Sequence, residues 1–156
     1  MYWTGESYLG LGTSAASMLT APEYDMLAEQ NTFLPARPQD AARARLVVLD
    51  PPRKIAEGAS LFSTEFDVEF LTHREAVAED LMLHARLMEP ISPALLNESE
   101  RVFGAPSMQK VLDSCLHDEL LECVNNEDSK DKTTYRPTEK GWLLGNELYG
   151  RLWDLR

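Results

Sequence analysis

Residues 71–104 read LTHREAVAEDLMLHARLMEPISPALLNESERVFG, and this stretch decides the fold. Thr72 and Glu75, three residues apart, form a capping box, in which each side chain satisfies the other's backbone N–H. Val77, Leu81, His84 and Met88 follow at helical spacing, so a helix is predicted from His73 to Met88, ended by Pro90. Ser92-Pro93 then sets an N-cap before a proline at the first helical position, where the missing N–H is no loss. The helix it opens carries Leu95, Leu96, Val102 and Phe103 and stops at Gly104.

Downstream, Met108, Val111, Leu112, Cys115 and Leu116 form the apolar stripe of a third helix, Ser107 to Asp118. Leu120 to Val124 reads as a strand, residues 125–132 (NNEDSKDK) as a polar turn and Thr133 to Arg136 as the return strand. Thr138 caps a last helix whose inner face would hold Leu144, Leu148 and Leu152, flanked by Trp142, Tyr149 and Trp153. Three helices, a hairpin and a closing helix predict a winged-helix-like domain over 64–156, in an α+β chain.

Upstream, Tyr8, Leu9 and Leu11 predict a short buried strand ending in the glycine turn Gly10–Gly12. The small-residue run Thr13 to Leu19 predicts the start of a helix, capped by Thr13 or Ser14. A strand feeding a helix through glycines is half of an α/β unit, and it has no parallel partner strand nearby. Residues 21–63, punctuated by Pro22, Pro35, Pro38, Pro51 and Pro52, read as a connector. It holds a short helix over Tyr24–Gln30 and a strand at Leu46–Leu49 stopped by Asp50-Pro51-Pro52.

The chain has 156 residues, is 44% apolar and carries 15 Lys and Arg against 26 Asp and Glu, a net charge of −11. That is enough apolar content for a core, and the charge opposes binding to a phosphate backbone. The third helix offers Lys110 against Asp113 and Asp118, and in the hairpin Lys130, Lys132 and Arg136 are offset by Glu127, Asp128 and Asp131. A winged-helix DNA-binding regulator is therefore the least favoured function, and no nucleic-acid partner is expected. Cys115 and Cys123 form no CxxC pair and are expected to be small buried thiols of a reducing, cytoplasmic compartment. No apolar run is long enough to span a bilayer, and no signal peptide is recognisable.

Two sets of motifs, in order, carry a family resemblance. At the N-terminus YWTGESYLGLGTSAASML holds Tyr2-Trp3, then Gly10 and Gly12, then Ala15 and Ser17. In the tail stand Glu79-Asp80-Leu81-Met82-Leu83, Arg86-Leu87, Phe103-Gly104 and Thr138-Glu139-Lys140-Gly141. Together they resemble the C-terminal portion of the oxygen-independent coproporphyrinogen III oxidase-like radical-SAM family. The resemblance implies that residues 1–20 are the last strand-turn-helix of a truncated radical-SAM α/β barrel, and that a missing N-terminal barrel is the chain's partner. It implies a parent using a [4Fe-4S] cluster and S-adenosylmethionine, and in one branch heme. That cluster needs three thiolates from a C-x3-C-x2-C loop, and this chain has two cysteines in all, so no cofactor is expected in it and it should be inactive alone.

One branch of the family decarboxylates coproporphyrinogen III; the other delivers heme to respiratory enzymes and carries an H-N-x-x-Y-W motif. Tyr2-Trp3 resembles the remnant of that heme-linked motif, and with the compact tail it favours the chaperone branch. Ala16 stands where a His often does in that branch, which leaves the turn itself undecided. By the resemblance, Gly10, Gly12, Ala15 and Ala16 lie near S-adenosylmethionine; on the residues alone they make a tight packing turn. Arg37, Arg43, Arg45 and Arg53 could meet the carboxylates of a porphyrinogen, or simply be solvated. His84 is read as a core-edge residue before a heme ligand, and His73 and His117 as structural. Trp142, Tyr149 and Trp153 are read as core aromatics before a porphyrin-binding face. The other function weighed is a stand-alone protein-interaction module. The orphan segment with Tyr8, Leu9 and Leu11 is expected to be mobile or to pair two copies as a homodimer.

Overall fold

A computed structural model describes residues 5–58, 60–124 and 133–156, so Tyr2, Trp3 and the expected polar turn at 125–132 lie outside the described residues. The chain is mixed α and β and divides into two compact units, Glu6–Ala76 and Val77–Arg156.

The first unit is built on a three-stranded antiparallel sheet: β1 (Ala16–Thr20), β2 (Ala41–Val48) and β3 (Phe66–Thr72), in the order β1-β2-β3. The residues expected to start a helix at Thr13 instead form β1, paired with β2 from Ala16↔Val47 to Thr20↔Arg43. Small side chains permit either conformation. Pairing with β2 decides, setting Ser17 opposite Leu46 and Leu19 opposite Ala44. The short strand expected at Tyr8–Leu11 reduces to one antiparallel bridge, Tyr8↔Met18, with Leu9 and Leu11 exposed rather than buried.

Helix α1 (Ala21–Ala28) lies over that sheet face. Its Tyr24 and Leu27 are buried with Leu19, Ala44 and Leu46, and the Tyr24 ring meets Phe70 edge-on at 5.1 Å. The connector has no regular structure over 32–40, yet long-range polar bonds hold it. Tyr24 donates to Pro35 O at 2.6 Å, and Arg37 grips Asp25 through Nε and Nη2 while its Nη1 serves Pro38 O and Ala41 O. Buried Asn31 donates to Leu61 O and Thr64 O and accepts from Phe33 N, which closes the loop on itself. After β2, buried Asp50 precedes α2 (Pro52–Ala56) and binds Lys54 at 2.9 Å. A 3-10 turn at Leu61–Ser63 leads into β3. Residues 6–63 and β3 thus pack together within one compact unit.

Helix α3 (His73–His84) opens with the expected box: Thr72 N donates to Glu75 Oε2 at 2.8 Å, and Glu75 N to Thr72 Oγ1 at 3.3 Å. It ends four residues before Met88, whose φ of 58° is incompatible with a helix. In the second unit its Val77, Ala78 and Leu81 join the core made by α4 (Pro93–Phe103) and α5 (Ala105–His117). Ser92 accepts from Leu95 N as the cap of α4, and Gly104, at φ 85°, ends it. The hairpin β4 (Leu121–Val124) and β5 (Thr134–Pro137) follows, then α6 (Glu139–Leu143) and α7 (Gly145–Trp153). The closing helix is therefore broken at Leu144. Leu148 and Leu152 are its buried stripe as expected, Leu155 just beyond its end is also buried, and Leu144 turns out to solvent against expectation.

Candidate functional site: the glycine turn and the cleft beside it

The turn from Gly10 to Ala15 links the Tyr8 segment to β1. Tyr8 N donates to Met18 O at 2.9 Å and Met18 N to Tyr8 O at 3.0 Å. Gly10 N donates to the hydroxyl of Ser17, itself buried on the sheet face. A Cβ on Gly10 would stand 2.2 Å from Ala16 O, so this glycine is required by the chain's own backbone. Gly12 differs: its φ is +111° and nothing lies within 4 Å of where a Cβ would be. Ala15 N closes the turn on Gly12 O, and Ser14 N and Ala15 O bond to the end of β2 at Val48. Of the four candidates, Gly12 presents open backbone to solvent, Gly10 is filled from within, and Ala15 and Ala16 are half-buried at the head of β1. Leu11, 94% exposed, projects from the same tip.

Beside the turn runs a cleft of about 390 Å³, lined by the apolar side chains of Tyr8, Leu9, Leu19, Met26, Leu27 and Leu61. None of the four candidate residues lines it. Glu23 and Ser7 are its polar lining. One oxygen of Glu23 accepts from Ser7 Oγ at 2.6 Å, Thr20 Oγ1 at 2.7 Å and Thr20 N at 2.8 Å. These bonds, the Ser7 hydroxyl foremost and then Thr20, hold the Glu23 carboxyl below its ordinary 4.5. A depressed carboxylate stabilises the fold fully above its unfolded value and loses that contribution as pH falls through its lower folded value. Glu23→Gln should therefore lower the urea midpoint at neutral pH. The gap from wild type should narrow as pH drops below 4.5, and a gap independent of pH between 7 and 3 would refute the clasp. The cleft is not legible in the sequence; the Thr20–Glu23 spacing, the same box as Thr72–Glu75, is the available signal for its polar lining.

The other candidates do not converge. Arg37 is held by Asp25 and Arg45 by Glu69; Arg43 shares the Arg45 face of the sheet, and Arg53 lies apart on α2. Half-buried His84 contacts Pro90 O at 3.3 Å, and His73 and His117 are exposed. Among the described residues no three His, Cys, Asp or Glu gather as a metal set. Cys115 is buried, and burial pushes its thiol pKa up; Cys123, expected inside, is exposed on β4. Two thiols so placed do not fit the three-thiolate cluster of the resembled family.

Trp142 corrects the core reading of the aromatics: it is 53% exposed, and with Leu143 and Leu144 it forms an apolar projection at the α6–α7 break. Tyr149 and Trp153 do pack on the core, covered by the guanidinium groups of Arg86 and Arg156 at 4.6 and 4.4 Å from their rings. On the nucleic-acid question, Arg136 of the hairpin is held by Glu122, and Gln109 of α5 binds Asp113. No helix among the described residues is long and apolar enough to cross a membrane.

No protein-family model, no curated protein and no solved structure matches this chain.

Proposed function

We propose that the chain is the C-terminal part of a radical-SAM protein of the coproporphyrinogen III oxidase-like family, on its heme-chaperone branch, serving tetrapyrrole synthesis or heme delivery only with the cluster-bearing portion. The ordered set of motifs carries the reading, with Thr138-Glu139-Lys140-Gly141 as its last member. Thr138 caps α6 by accepting from Gly141 N, and its hydroxyl donates to Glu119 O. The order α3, α4, α5, β4, β5 supports a winged-helix-like second unit. In the parent, Gly10, Gly12, Ala15 and Ala16 lie near the S-adenosylmethionine, and of these Gly12 has the open backbone. Cytoplasmic location follows from that reading. Fold likeness alone would not license the function.

A second reading, a stand-alone interaction module, is favoured by the exposed Trp142-Leu143-Leu144 projection. An immunoblot of the source cells with an antibody to residues 64–156 separates the two. A band much larger than the 156-residue chain, bearing a C-x3-C-x2-C peptide by mass spectrometry, supports the radical-SAM reading. A single band at the size of this chain overturns it in favour of the module.

A further inference from the structure

The open edge of the sheet has an unusually regular chemistry. β3 is the last strand in the order β1-β2-β3. Leu49 N donates to Glu65 O at 2.9 Å, and the register runs on through Val47↔Asp67 and Arg45↔Glu69. In an antiparallel ladder such pairs alternate, so the backbone groups of Glu65, Asp67 and Glu69 point toward β2 and those of Phe66, Val68 and Phe70 point outward. Among the described residues no further backbone bond reaches those outward groups. The side chains alternate in step. Phe66, Val68 and Phe70 are half-buried against the α1 side, and Glu65, Asp67 and Glu69 are exposed on the other. Lys54 lies 3.6 Å from Glu65 and Arg45 bonds Glu69, while Asp67 stands exposed between them.

We propose that β3 is a docking edge for an extended segment of a partner protein in which basic residues alternate with apolar ones. The segment adds as a fourth strand. Its backbone bonds Phe66, Val68 and Phe70, its apolar side chains continue the α1-covered face, and its bases lie over the acidic row. Charge selects this occupant over a second copy of the chain. Two copies paired antiparallel about Val68 would set Asp67 against the second copy's acid at 69, a like-charge opposition that disfavours the pair. The overall charge of −11 draws a basic segment and repels a copy.

The test uses the full chain, 15N-labelled, titrated with a short peptide of alternating valine and lysine and with a block-sequence peptide of the same composition. The alternating peptide should bind about tenfold tighter, with shifts centred on the Phe66, Val68 and Phe70 amides. Asp67→Lys should weaken it by about fivefold. Val68→Pro removes an outward N–H that an edge strand can spare and should abolish binding. If the Val68→Pro chain does not fold, Asp67→Lys alone decides. Equal affinity for the two peptides, shifts centred elsewhere, indifference to Asp67→Lys, or self-association through β3 on concentrating the free chain would each overturn the proposal.

Discussion

Gly141→Ala is expected to lower the stability of the second unit by about 3 kcal/mol or more, the scale of a severe overpacking change. A Cβ at this position would stand 2.0 Å from Leu120 O and 2.8 Å from Leu120 C, both backbone atoms that no rotamer can move aside. The contact exists because three features converge on one turn. Glu119 adopts a φ of 58°, which brings the chain round from α5 into β4. Thr138 N and Oγ1 then bind the Leu120 and Glu119 carbonyls. The same Thr138 hydroxyl accepts from Gly141 N, drawing the first turn of α6 onto Leu120. Separating them would disturb Leu120 and Leu121, which lie in the core with Leu148 and Leu152. Thr138→Ala, which loses a cap and a bond but adds no clash, should cost only about 1 kcal/mol. Urea unfolding followed by circular dichroism gives both values; a Gly141→Ala loss no greater than that of Thr138→Ala would refute the close-approach account.

The contrast between these sites and the rest of the chain shows what sequence can carry. The tail helices were legible because their ends are chemically local. Ser92-Pro93, Thr72 with Glu75, and Gly104 specify caps within four residues, whatever the tertiary setting. In the closing helix the spacing of Leu144, Leu148 and Leu152 places Leu148 and Leu152 correctly in the core, and only Leu144, at the break between α6 and α7 that spacing cannot reveal, turns outward. β1 was misread for the opposite reason: its conformation is set by distant partners, Tyr8 on one side and β2 on the other. The connector's order rests on Asn31, Tyr24 and Arg37 reaching irregular carbonyls, which leaves no repeat to detect. The glycine turn could be read as tight, but not which glycine is tight against the protein and which is open. The apolar cleft beside it draws on Leu19, Leu27 and Leu61, scattered over three elements, and has no motif.

That difference between the two glycines leads to the second large effect. Gly10→Ala should destabilise the first unit by about 2–3 kcal/mol, because its Cβ would meet Ala16 O at 2.2 Å and Ala15 Cβ at 3.0 Å. The backbone must part there, which breaks the Gly10 N–Ser17 Oγ bond and strains the Tyr8–Met18 bridge. Gly12→Ala meets no atom and should cost about 1–2 kcal/mol, from its φ of +111° alone. Hydrogen exchange at the Tyr8 and Met18 amides, both donors in the bridge, reads the difference directly. Gly10→Ala should speed both, and Gly12→Ala should leave them near wild type. If Gly10 were a glycine only so that a cofactor could approach, the free chain would tolerate alanine there, and unchanged exchange would refute the structural account. Should the expected pattern hold, the requirement for glycine at position 10 is met by the chain's own backbone and is no evidence for a cofactor there. Gly12, where no atom lies within 4 Å of an added Cβ, is the position at which the proposed proximity to S-adenosylmethionine is tested.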